Sequence, residues 1–491
     1  MAFFENLIKN TFWLSVGQLI SSFFSLFWVA ILARYIGPGQ YGIYGYGASL
    51  CTLVVLLVNF GYDQLIVLNA SKQPSVAFPL LGKVLKIKLL SLPLYFMSLI
   101  TIALINDWSF EWRLIVGLVS LMVYFDALAG SFVAVFHSRQ LMQYDVWLQI
   151  SRSAVVLLGT WVGIRSGLPF YGLIIVNALA SLLRVIALWL MVNRILAYLK
   201  APITVISKDQ RLGAVLRDSL PLFLLSVASI LYFNIVVIIL ERMNRSPEDL
   251  GVFVAATRLQ SYIMLVPAIL TTVLLPAFSQ LYQTSKEEFL RKFQNVVNVL
   301  YWLSIVLALL VSINSADIVN LVYGSKFAAA APLLSIQSLT LTCGSSYAFG
   351  STMLVIGKRY LSTIMYAIVV LLVVLFAYLC IPYWGVRGAC WAQVFGGLVA
   401  HAVYGVYLYR HLSIRFPTLF LLKILVIAGM TSLVNYFLVS RGLYFMIASV
   451  FSLFCFAGLS IALRLLSAHE WNAVKRIIVS TMGGRRAQSP S

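Results

Sequence analysis

Charged residues are scarce in this chain of 491 residues, at 10% of the total, whereas hydrophobic residues make up 62%. The mean hydropathy is +0.96. A soluble domain has roughly half of its residues apolar. The larger apolar share of this chain could not be buried in the core of a protein with a surface exposed to water. Runs such as 114–136 approach or exceed the roughly 18–20 apolar residues that cross a bilayer as a helix. The scarcity of charge excludes a soluble protein and predicts a polytopic all-α membrane protein.

Motifs for catalysis, cofactors and metals are also lacking. The sequence has no phosphate-binding loop of the GxxxxGK[ST] type, so an ATP-driven pump would need a second chain, and it has no HExxH motif. The four histidines are far apart and have no carboxylate at ligand spacing. The five cysteines are scattered singly within hydrophobic segments, which indicates neither a disulfide framework nor a metal site. We therefore expect no cofactor, no metal and no enzymatic activity.

Long loops are lacking as well. The longest, 193–214, lies near the middle of the chain and is interpreted as a cytoplasmic linker. A membrane enzyme that polymerises or ligates glycans would need a sizeable outer loop to carry its chemistry. Transport is therefore favoured over catalysis.

The chain contains about fourteen hydrophobic segments long enough to cross a membrane. The predicted spans are 11–33, 43–68, 87–105, 112–136, 145–163, 169–192, 215–240, 250–277, 295–315, 331–356, 362–381, 386–408, 419–438 and 443–465. With a cytoplasmic amino terminus, roughly three times as many Lys and Arg residues lie in cytoplasmic segments as in outer loops. This excess predicts that both termini are cytoplasmic. It also assigns the net charge of +20 to contact with anionic lipid rather than with nucleic acid.

An internal repeat relates the two halves of the chain. The sequence Ile31-Leu-Ala-Arg34, followed by Pro38 and Gly42, parallels Ile239-Leu-Glu-Arg242, followed by Pro247 and Gly251. The first and seventh spans correspond, as do the second and eighth. An even number of spans per half makes the repeat parallel, which predicts two six-helix lobes around an axis along the membrane normal, a transporter layout. The alternative is that two unrelated helical hairpins share Gly and Pro turns.

The repeat divides the chain into predicted units. The N-lobe is 1–192 and the C-lobe is 215–408, joined by the linker 193–214. Two further helices occupy 409–465, and a cytoplasmic tail occupies 466–491.

Four ionisable residues lie well away from the ends of spans of the first half: Asp63, Asp126, Arg152 and Arg184. Each costs about 2.5–3.5 kcal/mol at membrane depth, so each needs a partner or an aqueous cavity. Their similar depths predict one ion-paired network, in which Asp126 and Arg152 form the expected pair because their spans are neighbours in a hairpin. Such charges could instead only fix the register of the helices. Arg184 is also kept as a candidate substrate ligand.

Arg258 differs from these four residues. It lies roughly 13 Å from the outer end of the eighth span, and no acidic residue lies at a similar depth in a span of the second half to neutralise it. Its planar guanidinium suits a phosphate or diphosphate, so we predict a substrate-facing role. Snorkelling or hydrogen bonds to backbone carbonyls are the alternatives. Arg34, at the outer mouth, is a further candidate ligand or else a loop anchor.

Several segments then resemble a known family. They are 31–44, Asn59-Phe-Gly61, Ala255-Ala-Thr-Arg258-Leu, Leu275-Pro-Ala-Phe-Ser279 and Leu321-Val-Tyr-Gly-Ser-Lys326-Phe. They are similar to the polysaccharide exporter family, the O-antigen and exopolysaccharide flippases of the multidrug/oligosaccharidyl-lipid/polysaccharide exporter superfamily. The resemblance covers essentially the whole chain.

The resemblance implies two lobes in a V around a central cavity in the bacterial inner membrane. It implies that undecaprenyl-diphosphate-linked oligosaccharides are moved between leaflets by alternating access, with Arg258 in a cationic cavity. Cavity amides such as Asn234 and Gln260 are candidate contacts for the glycan. The expected partners are the lipid-linked oligosaccharide and membrane lipids, with a glycan polymerase and a chain-length regulator as candidates, around a monomeric protein. A peptidoglycan-precursor flippase and a multidrug exporter are the alternatives.

Overall fold

The computed structural model describes residues 2–199, 212–244, 246–412 and 418–463 of the chain. Within these ranges the protein is helical and contains no β-strand. The predicted linker 193–214 lies partly outside the described residues, and the predicted tail 466–491 lies wholly outside them. The all-α membrane fold predicted from composition is confirmed.

Seventeen α-helices build the described part of the chain. Those of the first half are α1 (Ala2–Val54), α2 (Leu56–Asn59), α3 (Tyr62–Lys72), α4 (Ala77–Leu90), α5 (Leu92–Ile105), α6 (Phe110–Ser138), α7 (Met142–Arg165) and α8 (Phe170–Leu199). Those of the second half are α9 (Leu212–Asn244), α10 (Pro247–Thr284), α11 (Lys286–Ile313), α12 (Ser315–Tyr323), α13 (Ala330–Ser338), α14 (Ser346–Val355), α15 (Arg359–Leu412), α16 (Thr418–Ser440) and α17 (Phe445–Ala462). Short 3-10 helices occur at Pro74–Val76, Ser325–Phe327 and Leu339–Cys343.

Two helices are too long for a single membrane crossing. Of eleven described helices that are long and apolar enough to cross a membrane, Trp13–Asn59 has 47 residues and Tyr360–Leu412 has 53. At 1.5 Å per residue they would extend roughly 70–80 Å, against a hydrocarbon core of about 30 Å. A glycine with positive φ interrupts each, Gly37 at 76° and Gly385 at 53°, a conformation that glycine adopts without a Cβ clash. Each long helix therefore has room for two predicted spans, while the total of about fourteen stays a prediction.

Besides a break of one residue at Ser91 in the span 87–105, two predicted spans are interrupted in the structure. The span 43–68 ends its continuous helix at Val54 and is broken again at Phe60 and Gly61, where φ is 33° and 74°. The span 331–356 consists of α13, a 3-10 helix and α14. Hydropathy continues across both breaks, so the sequence pattern alone did not reveal them. Broken helices inside a membrane place backbone groups where they need partners other than the helix itself.

The two halves meet along α1. This helix packs against α6 and α7 of the first half and also against α9 and α10 of the second. A single buried hydrophobic cluster contains residues of both halves. The last two helices, α16 and α17, pack on each other and reach the second half through α11. The line between α1 and α10 is therefore the place to search for a site between the halves.

Candidate functional site

The two copies of the repeat meet where α1 packs on α10. Gly42 lies against the backbone of Pro247, and Gly251 lies against the backbone of Pro38. A methyl group on either glycine would overlap the facing carbonyl oxygen. Because Gly42 corresponds to Gly251 and Pro38 to Pro247, each copy makes the contact that the other makes in return. Reciprocal contact of this kind is expected of two segments related by a two-fold axis, and the parallel arrangement of the repeat stays a prediction.

Arg34 adds a second contact at this end, which is predicted to face outward. Its Nε donates to the carbonyl oxygen of Val322 over 2.9 Å, and its Nη2 donates to the carbonyl oxygen of Leu321. Both acceptors lie in the last turn of α12, where carbonyl groups lack helical partners and favour a cation. The structure thus gives Arg34 backbone partners across the two halves, and a role in substrate binding stays a prediction.

The halves also touch at the opposite, predicted cytoplasmic end. Phe60, at the break before α3, stacks on Phe223 of α9 with ring centroids 4.3 Å apart and planes 16° apart. Gln64 Nε2 donates to Ser226 Oγ over 3.4 Å. In this conformation the halves are in contact at both ends. We call the contacts of Gly42, Gly251 and Arg34 the outer closure and the contacts of Phe60 and Gln64 the inner closure.

Arg258 lies about two turns along α10 from Gly251, between the two closures. Its side chain is exposed. Four tyrosines from three helices lie near enough to interact with it electrostatically: Tyr41, Tyr44, Tyr262 and Tyr323. Among the described residues no carboxylate forms an ion pair with it. Arg258 therefore borders open space. Tyrosine rings and hydroxyl groups lie around this cation, and no described carboxylate pairs with it.

Tyr262 also links the two halves. Its hydroxyl lies 2.8 Å from Ser25 Oγ of α1. Tyr41 and Tyr44 come from α1 too, and both are buried. The surroundings of Arg258 are thus built by both halves, so a relative movement of the halves would change them.

The two predicted amides already have protein partners. Gln260 Nε2 donates to Thr340 Oγ1 over 2.6 Å, and Asn234 Nδ2 donates to the carbonyl oxygen of Ile230 over 2.9 Å. Each amide keeps a carbonyl oxygen that can accept a further bond. Their contact with a glycan stays a prediction.

Arg152 joins three helices of the first half. Its Nη2 lies 3.1 Å from Asp126 Oδ2 of α6. It also donates to Asn177 Oδ1 at 3.1 Å and to Ser181 Oγ at 2.8 Å, both on α8 and both buried. This is the pair expected from the neighbouring spans. Tyr44 interacts electrostatically with both members of this pair and with Arg258, so the pair adjoins the same region.

Asp63 is paired elsewhere, with Lys88, which lies at the start of the predicted third span, 87–105. Lys88 is fully buried, and its Nζ lies 2.9 Å from Asp63 Oδ1 and donates to the carbonyl oxygen of Ala127 over 2.7 Å. Ser131 Oγ donates to the same carboxylate oxygen over 2.7 Å. The reason is that α4 begins at Ala77, well before the predicted start of the third span, so Lys88 lies within packed helices.

Arg184 forms a third and separate pair. Its Nη2 lies 2.9 Å from Asp145 Oδ1, and His137 Nε2 lies 3.0 Å from Asp145 Oδ2. The four intramembrane residues therefore lie in three ion pairs rather than in one network, because Lys88 and Asp145 provide nearer partners. A role of Arg184 in substrate binding stays a prediction.

Sequence reasoning missed Lys88, His137, Asp145 and the tyrosines around Arg258. His137 and Asp145 flank the short connection between α6 and α7, and a short connection brings helix ends together. A search for partners across this hairpin, rather than at metal-ligand spacing, would have found them. The tyrosines come from three separate helices, so no local sequence pattern predicts that they lie together around Arg258.

Comparison with known proteins agrees with this architecture. A family model described as "Polysaccharide biosynthesis protein" matches residues 7–282. The lipid II flippase MurJ, in an inward closed conformation, is 15% identical, with a TM-score of 0.74 over 92% of this chain and 98% of that one. An inward-facing multidrug resistance MATE family transporter of the MOP superfamily is 15% identical, with a TM-score of 0.64 over 83% and 98%.

A MOP superfamily transporter from Pyrococcus furiosus, described as having reversed polarity of its binding pocket, is 15% identical, with a TM-score of 0.58 over 83% and 96%. At this level of identity these likenesses show the fold alone. No curated protein matches the chain in sequence.

Proposed function

We propose that this chain, which belongs to the polysaccharide biosynthesis protein family, is a flippase for undecaprenyl-diphosphate-linked oligosaccharides, such as the repeat units of O-antigen or exopolysaccharide. The protein is a multi-pass membrane protein with the fold of MOP superfamily transporters. We assign it to the bacterial cytoplasmic membrane with both termini cytoplasmic, because the basic residues are concentrated on that side. A glycan polymerase and a chain-length regulator are the expected neighbours of a monomeric flippase.

Arg258 is the observation that carries this proposal. It is exposed, lies between the two closures and has no carboxylate partner among the described residues. A guanidinium presents parallel N–H donors that match two phosphate oxygens, and the bond is strengthened by charge. Tyrosine hydroxyls nearby can donate to the remaining oxygens. A diphosphate is the anion that this arrangement fits.

The contacts between the halves suggest how access alternates. The outer closure consists of the reciprocal glycine contacts and the bonds of Arg34, and the inner closure consists of the Phe60–Phe223 stack and the Gln64–Ser226 bond. The inner contact is made by side chains that can separate at modest cost. Opening of the inner contact would admit the diphosphate to Arg258, and opening of the outer contact would release it. No covalent step is required.

A lipid II flippase is the second candidate. The likeness to MurJ extends over more of this chain than the likeness to the multidrug transporters, 92% against 83%. The two candidate substrates share the undecaprenyl-diphosphate carrier and differ in the glycan. A multidrug exporter is less well supported, because exporters of cationic drugs need an acidic cavity and Arg258 provides the opposite charge.

The test compares wild type with Arg258→Ala and Arg258→Lys in cells that lack their own repeat-unit flippase. Arg441→Ala is the matched control, since Arg441 lies in the exposed turn before α17, with its guanidinium over the Phe437 ring. We expect Arg258→Ala to lose surface glycan and to accumulate lipid-linked repeat units in the inner leaflet at normal protein level. Arg258→Lys should retain partial activity, because it keeps the charge and loses the bidentate geometry.

Two outcomes would contradict the proposal. Full activity of Arg258→Ala would remove Arg258 from the substrate path. Absence of trapped repeat units in the complete knockout would contradict a flippase function. Rescue of growth in cells depleted of their lipid II flippase would favour the second candidate instead.

A further inference from the structure

A cavity of about 510 Å³ opens at the predicted outer end of the first half. It lies between the kinked part of α1 and the first turns of α6 and α8. Its lining includes four aromatic and two polar side chains: Tyr35, Gln40, Phe110, Glu111, Phe170 and Tyr171. The volume falls within the roughly 300–1,000 Å³ of small-molecule sites. The transport mechanism described above makes no use of this cavity.

The walls of the cavity are held in place. Tyr35 donates its hydroxyl to the carbonyl oxygen of Leu168 over 3.0 Å, which ties the end of α1 to the turn before α8. Gln40 Nε2 donates to Glu111 Oε1 over 3.0 Å, which ties α1 to α6. Glu111 stands in the first turn of α6, where the helix dipole favours a carboxylate. The polar pair is therefore fixed before any ligand arrives.

Both polar side chains keep unused capacity. Glu111 Oε2 has no protein partner among the described residues, and the carbonyl oxygen of Gln40 can accept a bond. Beside them, Phe110 is 79% exposed and Tyr171 is 48% exposed. The cavity thus combines open aromatic faces with a carboxylate and an amide that point to the same space.

This combination matches a carbohydrate. A pyranose ring has an apolar face of C–H bonds, which packs on an aromatic ring, and a rim of hydroxyl groups, which need acceptors and donors. Interfacial aromatic residues are also found where membrane proteins meet lipid headgroups. Such a belt accounts for exposed rings, but it gives no reason for a preformed carboxylate–amide pair inside a cavity.

The cavity is also close to the region of Arg258. Phe170 is buried and packs edge-on against Tyr44, with ring centroids 6.4 Å apart. Tyr44 in turn interacts with Arg258. One aromatic layer therefore separates the cavity from the surroundings of Arg258. We infer that this cavity is an outward-facing carbohydrate-binding site, which holds the glycan part of the substrate as the diphosphate leaves Arg258.

This inference rests on the proposed flippase function and is tested by direct binding. The full chain is placed in nanodiscs of phosphatidylethanolamine and phosphatidylglycerol. The probe is the water-soluble oligosaccharide that mild acid releases from lipid-linked repeat units of the source cells, followed by saturation-transfer NMR and calorimetry. We expect saturable binding to wild type and at least tenfold weaker binding to Phe110→Ala and to Glu111→Ala. Tyr444→Ala is the control, because Tyr444 is 53% exposed in the turn before α17 and is not among the residues that line this cavity.

Two results would overturn the inference. One is the absence of saturable binding to wild type, and the other is equal binding to all variants, which would mean an interfacial aromatic belt only. A photoreactive benzophenone at position 110 or 444 provides a measurement that does not depend on alanine variants. Capture of the oligosaccharide at 110 and not at 444 supports the site, and equal capture contradicts it.

The outcome for the cavity can be separated from the outcome for the proposed function. Trapped repeat units in the knockout together with no binding in nanodiscs would overturn the carbohydrate site and leave the flippase intact. A knockout without trapped repeat units would overturn the flippase and, with it, the role assigned to this cavity.

Discussion

The two halves of the molecule treat charge inside the membrane differently. In the first half, three cations on packed helices each have a carboxylate within 3.1 Å: Lys88 with Asp63, Arg152 with Asp126 and Arg184 with Asp145. In the second half Arg258 has tyrosines and open space around it, and no carboxylate among the described residues. Three cations of the first half are thus paired within the protein, whereas Arg258 of the second half has no carboxylate partner in the part of the chain that the structure describes.

The buried polar groups of the second half add to this contrast, because the described pairs among them join hydroxyl, imidazole and amide groups rather than a cation and a carboxylate. The ring of His401 lies 2.7 Å from the hydroxyl of Tyr301 through Nε2 and 2.9 Å from Ser346 Oγ through Nδ1. Gln337 bonds to Gln393 and joins α13 to α15. Such bonds connect helices without a carboxylate. Arg258 is therefore an exception within its own half, and we attribute the exception to function.

The largest predicted effect on stability is at Asp63. Asp63→Ala leaves the fully buried Lys88 without a counter-charge, and removal of one partner of a buried pair typically costs about 3–5 kcal/mol. We expect a large fall in the melting temperature of the purified protein. The double variant Asp63→Ala with Lys88→Met should regain most of the loss, because it removes both charges and keeps an apolar side chain of similar length. A double variant as unstable as the single one would show that the pair is not the cause.

Arg152 should have a smaller effect. Arg152→Ala removes the partner of Asp126, but Asp126 is 36% exposed whereas Lys88 is fully buried, so we expect a smaller loss of about 1–3 kcal/mol. Asp126→Ala with Arg152→Ala should cost less than the sum of the single changes, by the coupling expected of residues in contact. Thermal unfolding and surface-glycan production are measured on the same preparations. Normal glycan in a folded Arg152→Ala protein would mark this pair as structural, and lost glycan would extend the substrate region into the first half.

How far the sequence predicts this contrast depends on the range of the interactions involved. Composition and hydropathy predicted the helical membrane fold, because crossing a bilayer imposes a local requirement on each segment. The pairing of Asp126 with Arg152 followed from two spans that are neighbours in a hairpin. The partners of Asp63 and Arg184 were not predicted, because they depend on where α4 begins and on how α6 and α7 turn. The breaks at Gly61 and after Ser338 were not predicted either, because hydropathy continues across both of them.

Arg258 should show the smallest effect on stability and the largest on transport. Because no carboxylate pairs with it among the described residues, Arg258→Met breaks no ion pair and removes an uncompensated charge from membrane depth. We expect the free energy of unfolding to change by no more than about 0.5 kcal/mol, or to rise, while transport is lost. Thermal unfolding beside the glycan assay checks both parts. A destabilisation comparable with that of Asp63→Ala would mean that Arg258 is held by the protein itself, and the contrast between the two halves would then have no bearing on substrate binding.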